Sequence, residues 1–286
     1  MCTPFKEGEV DTRAIAGNIQ KWVRAGVGGV VVLGSNGEAP LLDDDESDRV
    51  IAAARDALPR EYVLIAGAGR ESTVGTIAAF RRAAALGADA VLVRTPSYYK
   101  ARMMPDALIR HYSAVADACH SPVMLYNYPA ITGVNLAPET VGRIAEHPNV
   151  VGIKETGSDT SQVAAYVEVV PQSFAVMAGS APTFYPSLCV GAVGGILAVA
   201  CVVPDLCVRL HRQFSDGRHS EARELQRRIT PLARLVTTTF GVPGLKAAME
   251  LAGYAAGPPR EPLVPAQPEA VTQIRAELAK LQMAAV

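Results

Sequence analysis

The chain has 286 residues, with 27 basic and 28 acidic side chains, 49% hydrophobic and 19% charged residues. This buries a sizeable core and excludes general disorder, while a net charge of -1 argues against nucleic acid or an anionic membrane as the main partner. Five cysteines (Cys2, Cys119, Cys189, Cys201 and Cys207), odd in number and without a Cys-x-x-Cys pair, argue against a disulfide framework or zinc knuckle and for a reducing, cytoplasmic setting.

The opening Met1-Cys2-Thr3-Pro4-Phe5-Lys6 reads as loop, with no apolar signal core. Asp11 caps a helix with the apolar stripe Ile15, Ile19, Trp22 and Val23, ending near Gly26. A strand over Gly29–Leu33 follows, then a helix that Asp43–Glu46 favour by charge and that buries Val50, Ile51, Ala54 and Leu58. Further apolar blocks fall at Tyr62–Ala66, Ala90–Val93, Val123–Tyr126, Val150–Lys154, Phe174–Ala178 and Gly194–Val199. They are apolar on both alternating faces, as strands of a buried parallel sheet are. Helices beginning at Ser72, Pro105, Pro138 and Asp159 or Thr160 separate them, the last with Val163, Tyr166, Val167 and Val170 on one face.

From Val169 to Pro204 there is no charged residue, but Pro171, Pro182, Pro186 and four glycines break the stretch into blocks too short to span a bilayer. After Asp216-Gly217 the alternation gives way to helices at His219–Thr238, Pro243–Leu251 and Pro268–Gln282. A Pro-rich connector, Gly257–Pro262, joins the last two.

Strand–helix repeats of this kind are βαβ units, and no Gly-x-Gly-x-x-Gly follows the first strand. The expected fold is therefore an α/β (β/α)8 TIM barrel over residues 1–216, its remaining strand near Cys2, with a C-terminal helical appendage over 217–286. An open doubly wound sheet is the alternative.

Such barrels place their active sites at the C-terminal ends of the strands. Those ends read Gly34-Ser35-Asn36-Gly37-Glu38, Thr95-Pro96-Ser97-Tyr98-Tyr99-Lys100, Tyr126-Asn127-Tyr128-Pro129, Lys154-Glu155-Thr156-Gly157 and Gly179-Ser180. They carry hydroxyls, an amine and glycines, but no cluster with metal-ligand spacing, so no metal is expected.

Of six lysines, Lys6, Lys21, Lys100, Lys246 and Lys280 fall in loops or on helix faces; Lys154 alone ends an apolar strand. Desolvation there favours the neutral amine, the form that attacks a carbonyl. The plainer reading is a lysine that pairs with Glu155 or reaches to water. Tyr126, one strand earlier, can move a proton to and from a carbinolamine, or can simply pack. The Gly34–Glu38 loop can offer backbone N–H groups and the Ser35 hydroxyl to a carboxylate, or be an ordinary turn.

Taken in order, these residues resemble the pyruvate-dependent Schiff-base aldolase family, which includes dihydrodipicolinate synthase, N-acetylneuraminate lyase and 4-hydroxy-2-oxoglutarate aldolase. The resemblance runs from Thr3-Pro4-Phe5 to about Leu263 and rests on Gly34–Glu38, Tyr98-Tyr99, Tyr126-Asn-x-Pro129 with Thr132-Gly133, and Gly152-Ile-Lys154-Glu. It implies that Lys154 forms an imine with pyruvate and that Tyr126 is the acid–base residue, so no separate cofactor is needed. Ser35 links Tyr126 to Tyr98, which reaches in from the neighbouring subunit of a homotetramer built as a dimer of dimers. Ser35 and Asn36 grip the pyruvate carboxylate, and Gly179 and Ile196 line the pocket; Ser180, beside Gly179, is a further substrate-binding candidate, within reach of a glyoxylate carboxylate.

The resemblance also implies an arginine before Thr132-Gly133 for dihydrodipicolinate synthases, to bind the carboxylate of the aldehyde. Here the position is Ile131. By contrast, Tyr98-Tyr99-Lys100-Ala-Arg102-Met103, Gly191–Gly195 and Phe240–Lys246 resemble 4-hydroxy-2-oxoglutarate aldolase. The expected reaction is therefore cleavage of 4-hydroxy-2-oxoglutarate to pyruvate and glyoxylate. Alternatives are dihydrodipicolinate synthesis from pyruvate and aspartate semialdehyde, or a related lyase or dehydratase on a sugar-derived 2-oxo acid. Of other classes, a phosphate-binding barrel using Gly179-Ser180 and Gly194-Gly195 and a non-catalytic 2-oxo-acid-binding protein are the rivals. Only Met1 and Cys2 precede the Thr-Pro-Phe motif, which leaves little chain for a first strand.

Overall fold

Asp11, Asp43, Ser72 and Asp159 each accept a hydrogen bond from a backbone N–H in the first turn of a helix, so four helix starts follow from side-chain capping. These contacts are seen in a computed structural model that describes residues 1–283. In chain order it holds the hairpin strands β1 (Phe5–Lys6) and β2 (Glu9–Val10), then α1 (Thr12–Arg24), β3 (Gly29–Val32), α2 (Asp44–Ala57) and β4 (Val63–Gly67). Next come α3 (Thr73–Ala85), β5 (Ala90–Arg94), α4 (Pro105–Asp117), β6 (Val123–Asn127), α5 (Pro129–Thr132) and α6 (Pro138–Ile144). The chain continues through β7 (Val150–Glu155), α7 (Thr160–Val169), β8 (Ala175–Ala178), α8 (Phe184–Cys189) and β9 (Gly194–Gly195). It ends in α9 (Pro204–Ser215), α10 (His219–Arg234), α11 (Gly241–Leu251) and α12 (Pro268–Met283).

Strands β3 to β9 lie side by side in chain order, the arrangement of a (β/α)8 barrel. Packing divides the chain into two units, residues 1–64 with 197–286 and residues 65–196. In the second unit, β5 and β6 are buried along nearly their whole length, with Val91, Val93, Val123 and Leu125 fully inaccessible. Each such side chain contributes about 1.5–3 kcal/mol on burial. This is why the strands read as unbroken apolar blocks.

The first unit departs from expectation at Cys2, where no strand forms. Cys2 is buried, and the backbone nitrogen of Met1 donates to the carbonyl of Val31 in β3. The last apolar block also departs. Only Gly194 and Gly195 pair with β8, and Ala198–Cys201 turns as a 3-10 helix, because two glycines give a strand no side chains to pack.

The expected helix His219–Thr238 ends at Arg234, and Leu235–Thr239 winds as a π turn. Thr237 and Thr238 there bond back to the carbonyls of Ala233 and Arg234, at 2.6 and 3.1 Å, which loosens the ordinary ladder. Val167, expected on the apolar face of α7, is exposed, whereas Val163 and Tyr166 are buried. The last three residues of the expected appendage, 284–286, lie outside the described part. No described helix is long and apolar enough to cross a membrane.

Candidate active site

Tyr126 and Lys154 are register partners on β6 and β7, as are Asn127 and Glu155 one residue on. Side chains alternate along a strand, so Tyr126 and Lys154 share one face and Asn127 and Glu155 the other. Lys154 is 7% exposed and Tyr126 4%. The Lys154 amine stands 4.3 Å from the centroid of the Tyr126 ring. That ring stacks in turn on Tyr128 at 5.9 Å, and burial, then Tyr126, raises the Tyr128 phenol above its ordinary pKa.

Lys154 does not pair with Glu155, which points to the opposite face. The Glu155 carboxylate accepts from Asn127 Nδ2 at 2.7 Å, from Gln162 Nε2 at 2.9 Å and from the N–H of Gly157. Asn127 also accepts from the N–H of Leu136 at 3.0 Å, and Tyr166 donates to the carbonyl of Leu136. Burial and then Glu155 push the Tyr166 phenol far above its ordinary value, so it stays a neutral donor. This network ties the ends of β6 and β7 together and sets Tyr126 beside Lys154.

Gly179 follows β8, and its N–H donates to the carbonyl of Glu155 at 2.5 Å. A Cβ there would lie 2.0 Å from Thr156 Oγ1 and 2.9 Å from that carbonyl, so only glycine permits this approach. Because its N–H is already used, Gly179 is a poor phosphate donor, which weakens the phosphate-barrel reading. Ser180 is half-buried, its carbonyl accepting from Thr183 Oγ1 at 3.2 Å. Ile196, also half-buried, donates its N–H to Ala178 at 2.8 Å.

Ile131 lies in the short helix α5 and is 62% exposed. Beyond it Gly133 takes a left-handed φ of 66°, and Lys100 rather than Arg102 lies alongside, its Cδ 3.1 Å from where a Gly133 Cβ would stand.

Tyr98 and Tyr99 are 78% and 71% exposed and meet edge to face at 5.0 Å. Glu71 holds their loop. One carboxylate oxygen accepts from the N–H groups of Ser97 and Tyr98, both at 2.8 Å, and the other from Arg94 Nη1 at 2.8 Å.

Ser35 and Asn36 belong to the first unit, where Ser35–Gly37 form a single 3-10 turn. The N–H groups of Gly37 and Glu38 close that turn on Gly34 and Ser35, at 2.9 and 3.2 Å, so these two donors are spent inside it. The structure corrects the reading of Lys246. Expected on a helix face, it is 1% exposed and 2.7 Å from the Glu38 carboxylate. Burial draws its ammonium below the ordinary lysine value, and Glu38 opposes that shift. Sequence alone gives Glu38, Glu71 and Asn127 no role of their own and offers Glu155 only as a partner for Lys154. Only Glu38 carried a signal, as the one charge in a glycine-rich loop.

Among the described residues no group of three or more His, Cys, Asp or Glu side chains is placed to hold a metal ion.

Residues 1–281 match the Dihydrodipicolinate synthetase family. The chain is 37% identical over 266 residues to a 4-hydroxy-tetrahydrodipicolinate synthase of an Exiguobacterium species, covering 93% of this chain and 90% of that protein. The enzyme of the same name from Methanopyrus kandleri is 37% identical over 285 residues, covering 98% and 94%. Among solved structures, the dihydrodipicolinate synthase of Thermotoga maritima superposes with a TM-score of 0.95 at 33% identity, covering 99% and 97%. A prophage protein of the dihydrodipicolinic acid synthase family from E. coli K12, solved with pyruvate, gives 0.92 at 29% identity, covering 98% and 96%.

Proposed function

The chain belongs to the dihydrodipicolinate synthetase family, and we propose that it is a class I aldolase in which Lys154 binds pyruvate as an imine. It is a pyruvate-dependent enzyme whose chemistry needs no external cofactor. The observation that carries the residue assignment is the Lys154 amine held against the Tyr126 ring in a buried site.

On this reading the neutral Lys154 amine attacks the C2 carbonyl of pyruvate. The Tyr126 phenol protonates the carbinolamine oxygen, which leaves as water, and the phenolate then takes a proton from the pyruvate methyl to give an enamine. Addition of that carbon to an aldehyde is the condensation, and the reverse is cleavage. Ser35 and Asn36 hold the pyruvate carboxylate, Gly179, Ser180 and Ile196 line the pocket, and residues 217–286 serve as the helical appendage. A merely binding role would leave this buried amine and phenol without a task.

For the aldehyde, the relatives named 4-hydroxy-tetrahydrodipicolinate synthase support condensation of pyruvate with aspartate semialdehyde over the first expectation, 4-hydroxy-2-oxoglutarate. One observation favours the latter: Ile131 offers no charge where the family resemblance implies an arginine. Measuring kcat/KM for both reactions decides between them. A second copy of this chain is the fitting partner for the exposed Tyr98 and Tyr99, in keeping with a homotetramer. The five free cysteines suit a cytoplasmic setting.

A further inference from the structure

The first unit buries an ion pair directly behind the Gly34–Glu38 loop. Glu38 and Lys246 are 2% and 1% exposed, and Glu38 Oε1 lies 2.7 Å from Lys246 Nζ. The ammonium also donates to the carbonyl of Pro258 at 2.8 Å and stands 4.3 Å from the centroid of the Phe5 ring. The second Glu38 oxygen accepts from the N–H of Arg260 at 2.7 Å. The Arg260 guanidinium covers the same ring at 4.4 Å and bonds to Glu46 at 2.5 Å. One carboxylate thus collects α11 and the Pro-rich connector onto the end of the loop.

At its far end the loop is anchored through the Glu38 carbonyl, which accepts from the N–H of Leu41 at 2.8 Å. Ser35–Gly37 is one turn with no side-chain cap, and Glu38 closes it from a left-handed φ of 57°, which a non-glycine residue adopts at a cost. Thr3 Oγ1 adds one bond, to the carbonyl of Gly37 at 2.7 Å. A buried ion pair is a poor device for stability, since apolar residues of similar volume often serve as well or better. It is a good device for fixing a position, because either charge left buried without its partner is costly.

We propose that Glu38 and Lys246 are positioning residues: they fix where Ser35 and Asn36 stand and so set the affinity for the pyruvate carboxylate. The inference rests on the functional reading above, in which that loop grips pyruvate. Neither residue touches a reacting atom. Lys246, already bound to Glu38 and Pro258, is not a second imine-forming lysine.

The test is borohydride capture of pyruvate on Lys154 as a function of pyruvate concentration, in the wild type and in the double variant Glu38→Gln/Lys246→Met. The double variant removes both charges with little change of volume, so it is expected to melt near the wild-type temperature. Its half-saturating pyruvate concentration is expected to rise about ten- to hundredfold, the worth of a charged hydrogen bond, with capture at saturation retained. A folded double variant with wild-type half-saturation overturns the inference alone. No capture on Lys154 in the wild type overturns the Schiff-base reading and this inference with it. Should the double variant not fold, amide exchange of Gly37 and Glu38 in the pyruvate-free wild type decides. Protection equal to that in α11 supports a preset loop, and free exchange refutes it.

Discussion

The amine of Lys154 stands over the ring of Tyr126 at 4.3 Å, the two being register partners on neighbouring parallel strands. An amine so placed is held away from Glu155 and is the one expected to meet the pyruvate carbonyl. Pyruvate with borohydride should therefore add one stable mass to Lys154 and none to Lys246, which Glu38 already holds. Lys154→Ala should abolish turnover and cost about 1–3 kcal/mol of stability for its buried stem. Peptide mapping and urea denaturation check both. An adduct on Lys246, or loss of cooperative unfolding, would contradict the assignment.

Tyr126→Phe keeps the ring beneath Lys154 and removes only the hydroxyl. Turnover should fall about 10²–10⁴-fold, as when a general acid–base group is lost. The borohydride adduct should still form, more slowly, because the amine is untouched. If turnover stays within about threefold, the proton moves through another group. Tyr128, stacked on Tyr126, is then the first to examine.

What could be read from the sequence is what periodicity encodes. Val150–Lys154 declares itself a buried strand, and its end declares Lys154. Alternation also decides that Glu155 faces away from Lys154, a step that needs only the strand assignment. What periodicity does not encode is the partner. The groups that satisfy Glu155 come from Asn127, Gly157 and Gln162, on three different segments. Lys246 sits in an apolar helix and reads as a face residue until Glu38, far earlier in the chain, is brought to it. The apolar block Gly194–Val199 outruns the strand it contains, because apolar character alone does not show where pairing stops.

Glu71 gives a pH dependence of known sign. Burial works against its ionisation, but the N–H groups of Tyr98 and Ser97 and the Arg94 guanidinium outweigh it and lower the carboxyl from 4.5 to about 2. A folded-state value below the unfolded one means the clamp contributes fully above 4.5 and is lost as pH falls from there through 2. The near-ultraviolet tyrosine signal of the Tyr98-Tyr99 loop should thus hold from neutral pH to about 4 and change below it. Glu71→Gln should remove that acid step and leave the loop looser at neutral pH. A loop signal that changes identically in both proteins would show that Glu71 does not hold it.

Gly179→Ala is expected to be costly although its φ is not left-handed. The new Cβ would stand 2.0 Å from Thr156 Oγ1 and 2.9 Å from the carbonyl of Glu155, so β7 and β8 must separate at the end that carries Lys154. A loss of about 1–3 kcal/mol follows from such overpacking. Pyruvate capture should slow as well. Adding Thr156→Ala removes the worst of the overlaps and should restore part of the stability in urea denaturation. An additive double variant would mean that the hydroxyl is not what Gly179 accommodates.

Ile131 is the residue at which the two aldehydes can be told apart. It lies on α5 with 62% of its surface exposed, at the position where the family resemblance implies an arginine for the carboxylate of aspartate semialdehyde. A bidentate guanidinium–carboxylate contact is worth about 1.5–3 kcal/mol. Its absence lowers affinity about ten- to hundredfold. Ile131→Arg should therefore raise kcat/KM for condensation of pyruvate with aspartate semialdehyde by that factor, leaving pyruvate capture on Lys154 unchanged. Cleavage of 4-hydroxy-2-oxoglutarate should gain less, since glyoxylate is the shorter of the two aldehydes. Lys100 supplies the alternative cation. Its side chain lies against Gly133, two residues past Ile131, and its ammonium has no hydrogen bond or ion pair among the described residues. If Ile131→Arg gains nothing and Lys100→Met loses tenfold or more, roughly the worth of one charged contact, then Lys100 rather than residue 131 binds the aldehyde carboxylate. If neither variant moves kcat/KM for aspartate semialdehyde, that aldehyde does not dock on this face at all.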